Sequence, residues 1–435
     1  MGLEIFERGT LPRWALARQR LDETAIPPGG VGAAIAGEFA RPGTGERITA
    51  GQRVAITAGS RGIDRIAEVL LAVVAEIRAR GGEPFIVPAM GSHAGATAES
   101  QLALLDHYGV SEATMGCPIP SSMDVVQLGT VEGDVPVFFD RITYETADAV
   151  IPVGRVKAHT DFRGPIESGL CKMLAIGLGK QRGADTLHAR SFAHFNHLVP
   201  AAAALMMETV NIPFGVALVE NGYSKLGMVE AVPHERILER EPELLVIAKQ
   251  RMARLAGDRI DVLMLDGFGK NISGAGADPN VTNRDATGLL TIPGQPALPV
   301  IQRIIVRDLT HETEGNAAGI GYLDFILQRA ADRIDRTKTY MNQVTSKMPS
   351  GGGLPIVADH DRQAIFLAIA SAINTPTERA RIARIPNTKD LEYLWASEPL
   401  LADLLALGVV DQIGELREIA FDADGMLEES QGYPH

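Results

Sequence analysis

Four side chains carry most of the chemistry this sequence can offer: His93, His159, Lys172 and His188, all in its N-terminal half. Imidazoles gain and lose protons near neutral pH, so two of them upstream of a lysine are the parts of a general acid–base site. Lys172 follows the turn Glu167-Ser168-Gly169-Leu170-Cys171 and precedes the apolar run MLAIGLG. Such surroundings lower a lysine's pKa and make it nucleophilic toward carbonyl-type carbon. His188 lies sixteen positions further on. Taken singly, each histidine reads equally well as a solvated loop residue or a cap, and Lys172 as a cation snorkelling from a helix. Ser60-Arg61-Gly62, at the start of an expected helix, joins a hydroxyl and a guanidinium to backbone N–H groups at a positive helix end, which suits a phosphate or carboxylate. A glycine-rich turn of this kind also serves simply to reverse the chain.

Other chemistries lack their residues. There is no GxGxxG or GxxxxGK[ST], no HExxH, no paired CxxC, no EF-hand loop and no Gly-x-Ser-x-Gly elbow. Dinucleotide, P-loop, ordinary structural zinc, calcium and serine hydrolase readings are therefore unsupported. Ser273 stands in the small-residue turn NISGAG, not in a nucleophile context.

The elements that must position these residues alternate between strand and helix. RVAITA (53–58) is a short apolar strand, followed by a Gly-Ser-Arg-Gly turn and the helical stretch IDRIAEVLLAVVAEIRARGG. EPFIVPAMGSH reads as a buried strand ending at a loop, with a helix over 97–107, so the early chain holds a βαβ unit of a parallel sheet. Further strands are expected at 124–128, 135–139, 148–153 and 214–220. Residues 154–192 break the pattern as an irregular, glycine-rich functional loop, since the apolar CKMLAIGLG would be costly to leave in water. A helix over 234–256 then leads to RIDVLMLDGFGKNISGAGADPN, the opening of a second α/β domain. Later strands fall at 302–307 and 354–357, and helices at 317–336, 361–373 and 398–407.

The expected fold is α/β: two doubly wound α/β domains, 1–256 and 257–435, with the active site in the cleft between them, the first catalytic and cofactor-binding, the second closing the cleft. Two domains also suit 435 residues with 46% apolar content. In such sheets ligands bind outside the carboxyl ends of the strands, where the loops carrying Ser60, His93 and His159 begin. The net charge of −13 with scattered basic residues argues against nucleic acid or a polybasic membrane patch, so an anionic substrate needs local cations. Two cysteines, Cys117 and Cys171, point to a reducing compartment without a disulfide, and the absence of an h-region or a long apolar span to a cytoplasmic protein.

With these residues in view the chain resembles the nickel-dependent lactate racemase superfamily, whose members use a nickel-pincer nucleotide. The resemblance rests on TAGSRG, MGSHAG, VKAHTDF, and SGLCKMLAIGLG followed by His188. The family carries a Thr-Arg loop, a Gly-Thr-His loop, a second histidine and a Ser-Gly-Gly-x-Lys stretch before a further histidine, in that order and with similar spacing. The resemblance implies that Lys172 holds the cofactor, pyridinium-3,5-bisthiocarboxylic acid mononucleotide, through a thioamide-type linkage and that His188 ligates nickel. It makes Ser60, Arg61, Ser168 and Gly169 cofactor contacts, His93 and His159 the acid/base pair, and Arg61 and Lys270 the substrate contacts.

There are departures. Ala58 stands where the family has an acidic residue three places before the loop arginine, Leu170 replaces the second glycine, and HTDFRGPIESG is longer. They imply a homologue with another substrate, and Lys270, Asn271, Arg284 and Asn342 hint at a hydroxyacid larger than lactate. The implied activity is racemisation or epimerisation of a 2-hydroxyacid by proton-coupled hydride transfer, with cofactor-making enzymes as partners. A metal-dependent lyase or hydrolase using the same histidines, and a binding homologue without turnover, are the alternatives.

Overall fold

In a computed structural model the described residues are 2–60, 62–284 and 299–434. The chain divides into two compact units, Asp22–Met252 and a second made of Met1–Leu21 with Ala253–His435. The N-terminal segment therefore belongs with the C-terminal half, where the sequence reading had placed it in a domain of 1–256. The reason is strand β1 (Trp14–Gln19), which pairs antiparallel with two strands near the other end of the chain, Tyr393–Ser397 and Val410–Gln412. Trp14 is fully buried, donates through Nε1 to Gln431 Oε1 at 2.8 Å and packs against Trp395 with ring centroids 5.2 Å apart.

The unit Asp22–Met252 is built on β2 (Arg53–Ala58), parallel to β3 (Glu83–Pro88), a two-stranded ribbon of β4 (Val125–Val131) and β5 (Val135–Asp140), then β6 (Ala149–Ile151), β7 (Val153–Arg155), β8 (Phe214–Glu220) and β9 (Leu226–Pro233). β6 pairs with β2 and β7 with β8, both parallel, and β9 runs antiparallel to β8. The single strand expected at 148–153 is thus two. Pro152, which has no N–H to give a ladder, stands between them. Thr57 mends the gap: its hydroxyl accepts the N–H of Val153 at 2.9 Å, tying β2 to β7.

Both faces of this sheet are covered. Val54 and Ile56 of β2 face one core cluster and Ala55 the other, so the strands read as unbroken apolar runs, as buried parallel strands do. The helix Ile66–Ala79 buries Ile66, Val69, Leu70, Val73, Val74 and Ile77, a 3.6-residue stripe. It begins only after Arg65, whose φ of 55° is left-handed, so 62–65 lie ahead of the first helical turn.

In the other unit, β10 (Arg259–Leu265), β11 (Val300–Val306), β12 (Phe325–Leu327), β13 (Ile356–Ala358), β14 (Ile382–Ile385), β15 (Tyr393–Ser397) and β16 (Val410–Gln412) join β1 in one sheet ordered β13-β12-β11-β10-β14-β15-β1-β16. The first five are parallel and the last three antiparallel. Val262 and Met264 point to one core and Leu263 and Leu265 to the other, which gives the doubly wound character expected. Two expectations fail. Residues 317–336 form a short 3₁₀ turn (Ile320–Tyr322), strand β12 and a helical turn Gln328–Ala331, because Gly319 at φ 96° and Gly321 interrupt any helix. Within the stretch 154–192, expected to be irregular, residues 170–178 and 180–188 are helical, parted by a turn at Gly179 and a left-handed φ of 54° at Lys180.

Candidate active site

The Ser60 and His93 loops leave the carboxyl ends of adjacent strands β2 and β3, and the His159 loop leaves β7, which Thr57 ties to β2. Ser60 Oγ is hydrogen-bonded to Nδ1 of His93. Tyr108 donates its hydroxyl to Ser60 O at 2.9 Å, and buried Gln101 donates to the carbonyls of Gly91 at 3.1 Å and His93 at 3.3 Å. The helix Ala98–His107, capped by Thr97, therefore fixes the loop that carries His93.

His159, 9% exposed, is fixed differently. Its Nδ1 accepts the backbone N–H of Asp161 at 3.0 Å, its own N–H donates to Glu167 Oε2 at 2.7 Å, and its ring lies 4.4 Å from that of Phe162. Glu167, buried, also accepts from Gly164 N at 3.3 Å and Lys249 Nζ at 2.7 Å.

Lys172 ends the turn Leu170–Lys172, and the next six residues, Met173–Leu178, wind with the wider π-helical pitch before Lys180–His188 resumes an α-helix. Such a widened turn re-aims side chains and occurs often at functional sites. It packs directly under the two loops: Gly91 N donates to Gly177 O at 3.2 Å, and a Cβ on Gly59 would stand 3.0 Å from Met173 Cε. Lys172 Nζ lies 5.9 Å from the Phe162 ring. His188 is ringed by Phe192 and Phe195, at centroid distances of 5.3 and 5.0 Å, and Phe192 is 5.9 Å from His159. His159, Lys172 and His188 thus border one aromatic cluster.

Nδ1 of His188 lies 2.6 Å from Ala184 O and so carries the proton, which leaves the lone pair on Nε2. Burial, with the positive charge of Lys172 adding to it, holds the pKa of His188 below its ordinary value. A neutral imidazole whose other nitrogen is tied to a carbonyl is the usual state of a metal ligand. Among the described residues no three His, Cys, Asp or Glu side chains are grouped to hold a metal. The lone pair on His188 Nε2 and the half-buried amine of Lys172 are donors that fit the implied pincer nucleotide, His188 for the metal and Lys172 for attachment.

Ser168 and Gly169 support this segment from below. Ser168 exchanges backbone hydrogen bonds with Lys157, and a Cβ on Gly169 would fall 2.1 Å from Glu241 Oε1. Glu241 is buried and accepts the N–H of Cys171 at 2.9 Å, at the start of the turn that carries Lys172. Burial pushes its carboxyl up to about 7. Sequence reasoning missed Glu241, although a signal existed: it occupies the apolar face of Ile237–Arg251 with Ile237, Leu244, Leu245 and Ala248. Phe162, Phe192 and Phe195 were missed too, being indistinguishable from core aromatics by type.

Of the remaining expected residues, Arg61 lies outside the described residues. Ser60 is six residues before the helix Ile66–Ala79, so the anion site expected at a helix N-terminus is not formed there. Lys270 belongs to the C-terminal unit, where Nζ donates to Asn342 Oδ1 at 2.6 Å. Arg284 is buried and paired with Asp324 at 2.8 Å, an arrangement that supports structure and not ligand binding. Lys180 is fully buried between Pro88 O at 2.6 Å and Asp140 at 3.1 Å, which removes it as a rival to Lys172 for attachment. Cys117 and Cys171 are buried thiols.

No family model and no curated protein matches the chain. Solved structures do. The lactate racemase apoprotein from Thermoanaerobacterium thermosaccharolyticum is 14% identical, with a TM-score of 0.54 over 90% of this chain and 96% of that one. A protein from Thermotoga maritima, also 14% identical, has a TM-score of 0.50 over 77% and 84%. The chain has the fold of lactate racemase.

Proposed function

We propose that this chain is a nickel-pincer-nucleotide-dependent racemase or epimerase of a 2-hydroxyacid. The observation that carries the reading is the geometry of His188: its Nδ1 is hydrogen-bonded to Ala184 O, which leaves the lone pair on Nε2, and burial, with a smaller contribution from Lys172, lowers its pKa. The fold shared with a lactate racemase supports it. Lys172 would attach the nucleotide, His188 would ligate the nickel, and Ser60, Ser168 and Gly169 would line the group. When bound, that group supplies the hydride acceptor that no amino-acid side chain can provide. This chain's own part is proton handling and positioning. His93 and His159 exchange protons and hydrogen bonds with the substrate hydroxyl, while the Phe162–Phe192–Phe195 cluster keeps water from the carbinol carbon. Lys270 is retained as a proposed contact to the substrate carboxylate.

The test is co-expression with cofactor-making enzymes, followed by nickel analysis, intact mass, and a screen of enantiopure hydroxyacids and aldonates for change in optical rotation. A covalent adduct with nickel and loss of optical activity are expected. Metal without an adduct would favour a metal-dependent lyase or hydrolase, and neither would favour a binding homologue.

A further inference from the structure

We propose that the two histidines are not interchangeable: His93, positioned by Ser60, is the proton carrier, and His159 is held by the Asp161 backbone amide as a fixed hydrogen-bond donor. This rests on the hydroxyacid reading above and refines it.

A neutral imidazole has one N–H, and the partner of one nitrogen decides what the other presents. A backbone amide can only donate. Nδ1 of His159, which accepts from Asp161 N, must therefore bear a lone pair, and the neutral ring carries its proton on Nε2. The surroundings keep that amide in place, because Glu167 holds His159 N and Gly164 N, Arg163 donates to the His159 carbonyl, and Phe162 stacks on the ring. A neutral His159 thus offers Nε2–H and no acceptor at that atom.

Ser60 is a different partner. A hydroxyl both donates and accepts, so Nδ1 of His93 can give its proton to Ser60 Oγ as a hydrogen bond or receive one from it. With Nδ1–H directed at Oγ, Nε2 of His93 carries a lone pair and can take a proton. Tyr108 and Gln101 fix the backbone of both loops, so the serine hydroxyl and the imidazole stay within hydrogen-bond reach whichever ring nitrogen carries the proton.

In the proton step the substrate hydroxyl gives H⁺ to His93 Nε2, and the O–H electron pair becomes the second bond of the new carbonyl. The hydride of the carbinol carbon would need the acceptor that the bound group would supply, while Nδ1–H of the imidazolium remains donated to Ser60. His159 Nε2–H donates to the substrate oxygen without losing its proton. On hydride return, His93 gives the proton back. Ser60 is a positioning residue in this scheme, acting through His93.

The test uses full-length protein with ¹⁵N-labelled histidine, free of cofactor, and reads tautomers from two-bond ¹H–¹⁵N correlations at a pH where the rings are neutral. His93→Gln and His159→Gln assign the signals. His159 is expected as Nε2–H in wild type and Ser60→Ala alike. His93 is expected to populate Nδ1–H in wild type, to lose it in Ser60→Ala and to regain it in Ser60→Thr. A His159 with Nδ1–H, or a His93 indifferent to Ser60→Ala, would overturn the proposal. Once turnover is measured, Ser60→Ala should lower kcat by roughly tenfold, the worth of one hydrogen bond, and His159→Gln should keep more activity than His159→Ala, with no such rescue at His93. A wild-type protein inactive on every hydroxyacid would refute the proposed function instead, and the tautomers would still be decided by the spectra.

Discussion

At the scale of single residues, the site separates groups that serve chemistry from groups that serve the fold. Lys172 is half-buried and Lys180 fully buried in an ion pair, so their alanine variants should diverge. Lys172→Ala is expected to keep a folded protein and lose the covalent adduct, read by circular dichroism and intact mass. Lys180→Ala should leave Asp140 buried without its cation and cost about 3–5 kcal/mol of stability by denaturant unfolding. His93→Ala should lower kcat by roughly 10²–10⁴-fold. The Glu241 carboxyl is raised to about 7 in the folded state against 4.5 ordinarily, so between these values the native protein holds a proton the unfolded chain has released. Stability should then fall as pH rises across that window, by at most about 3 kcal/mol from this group. In Glu241→Gln that slope should flatten, and an unchanged slope would mean that the carboxyl is ionised at low pH.

At the scale of elements, Gly169→Ala sets a Cβ against Glu241 Oε1, and because the carboxylate side is packed, a loss of about 2 kcal/mol or more is expected. Paired with Glu241→Ala the two losses should not add, since removing the carboxylate removes the clash. Much of this level was legible in the sequence. Phe214–Glu220 was read to the residue, and the βαβ unit with its His93 loop was recognisable because buried parallel strands are short apolar runs bounded by turns. What escaped depends on tertiary context. The two helical pieces within 170–188 carry glycine, a poor helix former, because Gly177 and the turn residue Gly179 approach backbone too closely for any side chain, their Cβ positions lying 2.7 Å from Ala89 O and 2.6 Å from Ala175 O. The four candidate residues were visible by type and order, but their hydrogen-bond partners were not, since Ser60 with His93 and Ala184 with His188 are relations of folded geometry.

At the scale of the molecule, the first 21 residues look detachable in sequence and are not. Truncating them removes β1 from between β15 and β16 and takes Trp14 out of the core, so the C-terminal unit should lose cooperative unfolding or a large share of its stability. Trp14→Ala alone should cost about 3–5 kcal/mol, measurable by thermal melting with the fluorescence of Trp395 as a local probe. No described helix is long and apolar enough to cross a membrane. The sequence hid the role of β1 because WALARQ is too short and too mixed to declare a partner, and strand pairing over almost the whole chain length has no local signature.

That pairing also sets a timetable. The ribosome makes β1 long before its partners β15 and β16. At ordinary elongation rates roughly 20–80 s separate the two events. Throughout that interval the segment with Trp14 must trail from the nascent chain unpaired, while Asp22–Met252 has all its own strands and can close behind it. This early strand is therefore among the last to find its place, and during synthesis it is a stretch that a holdase chaperone would have reason to shelter.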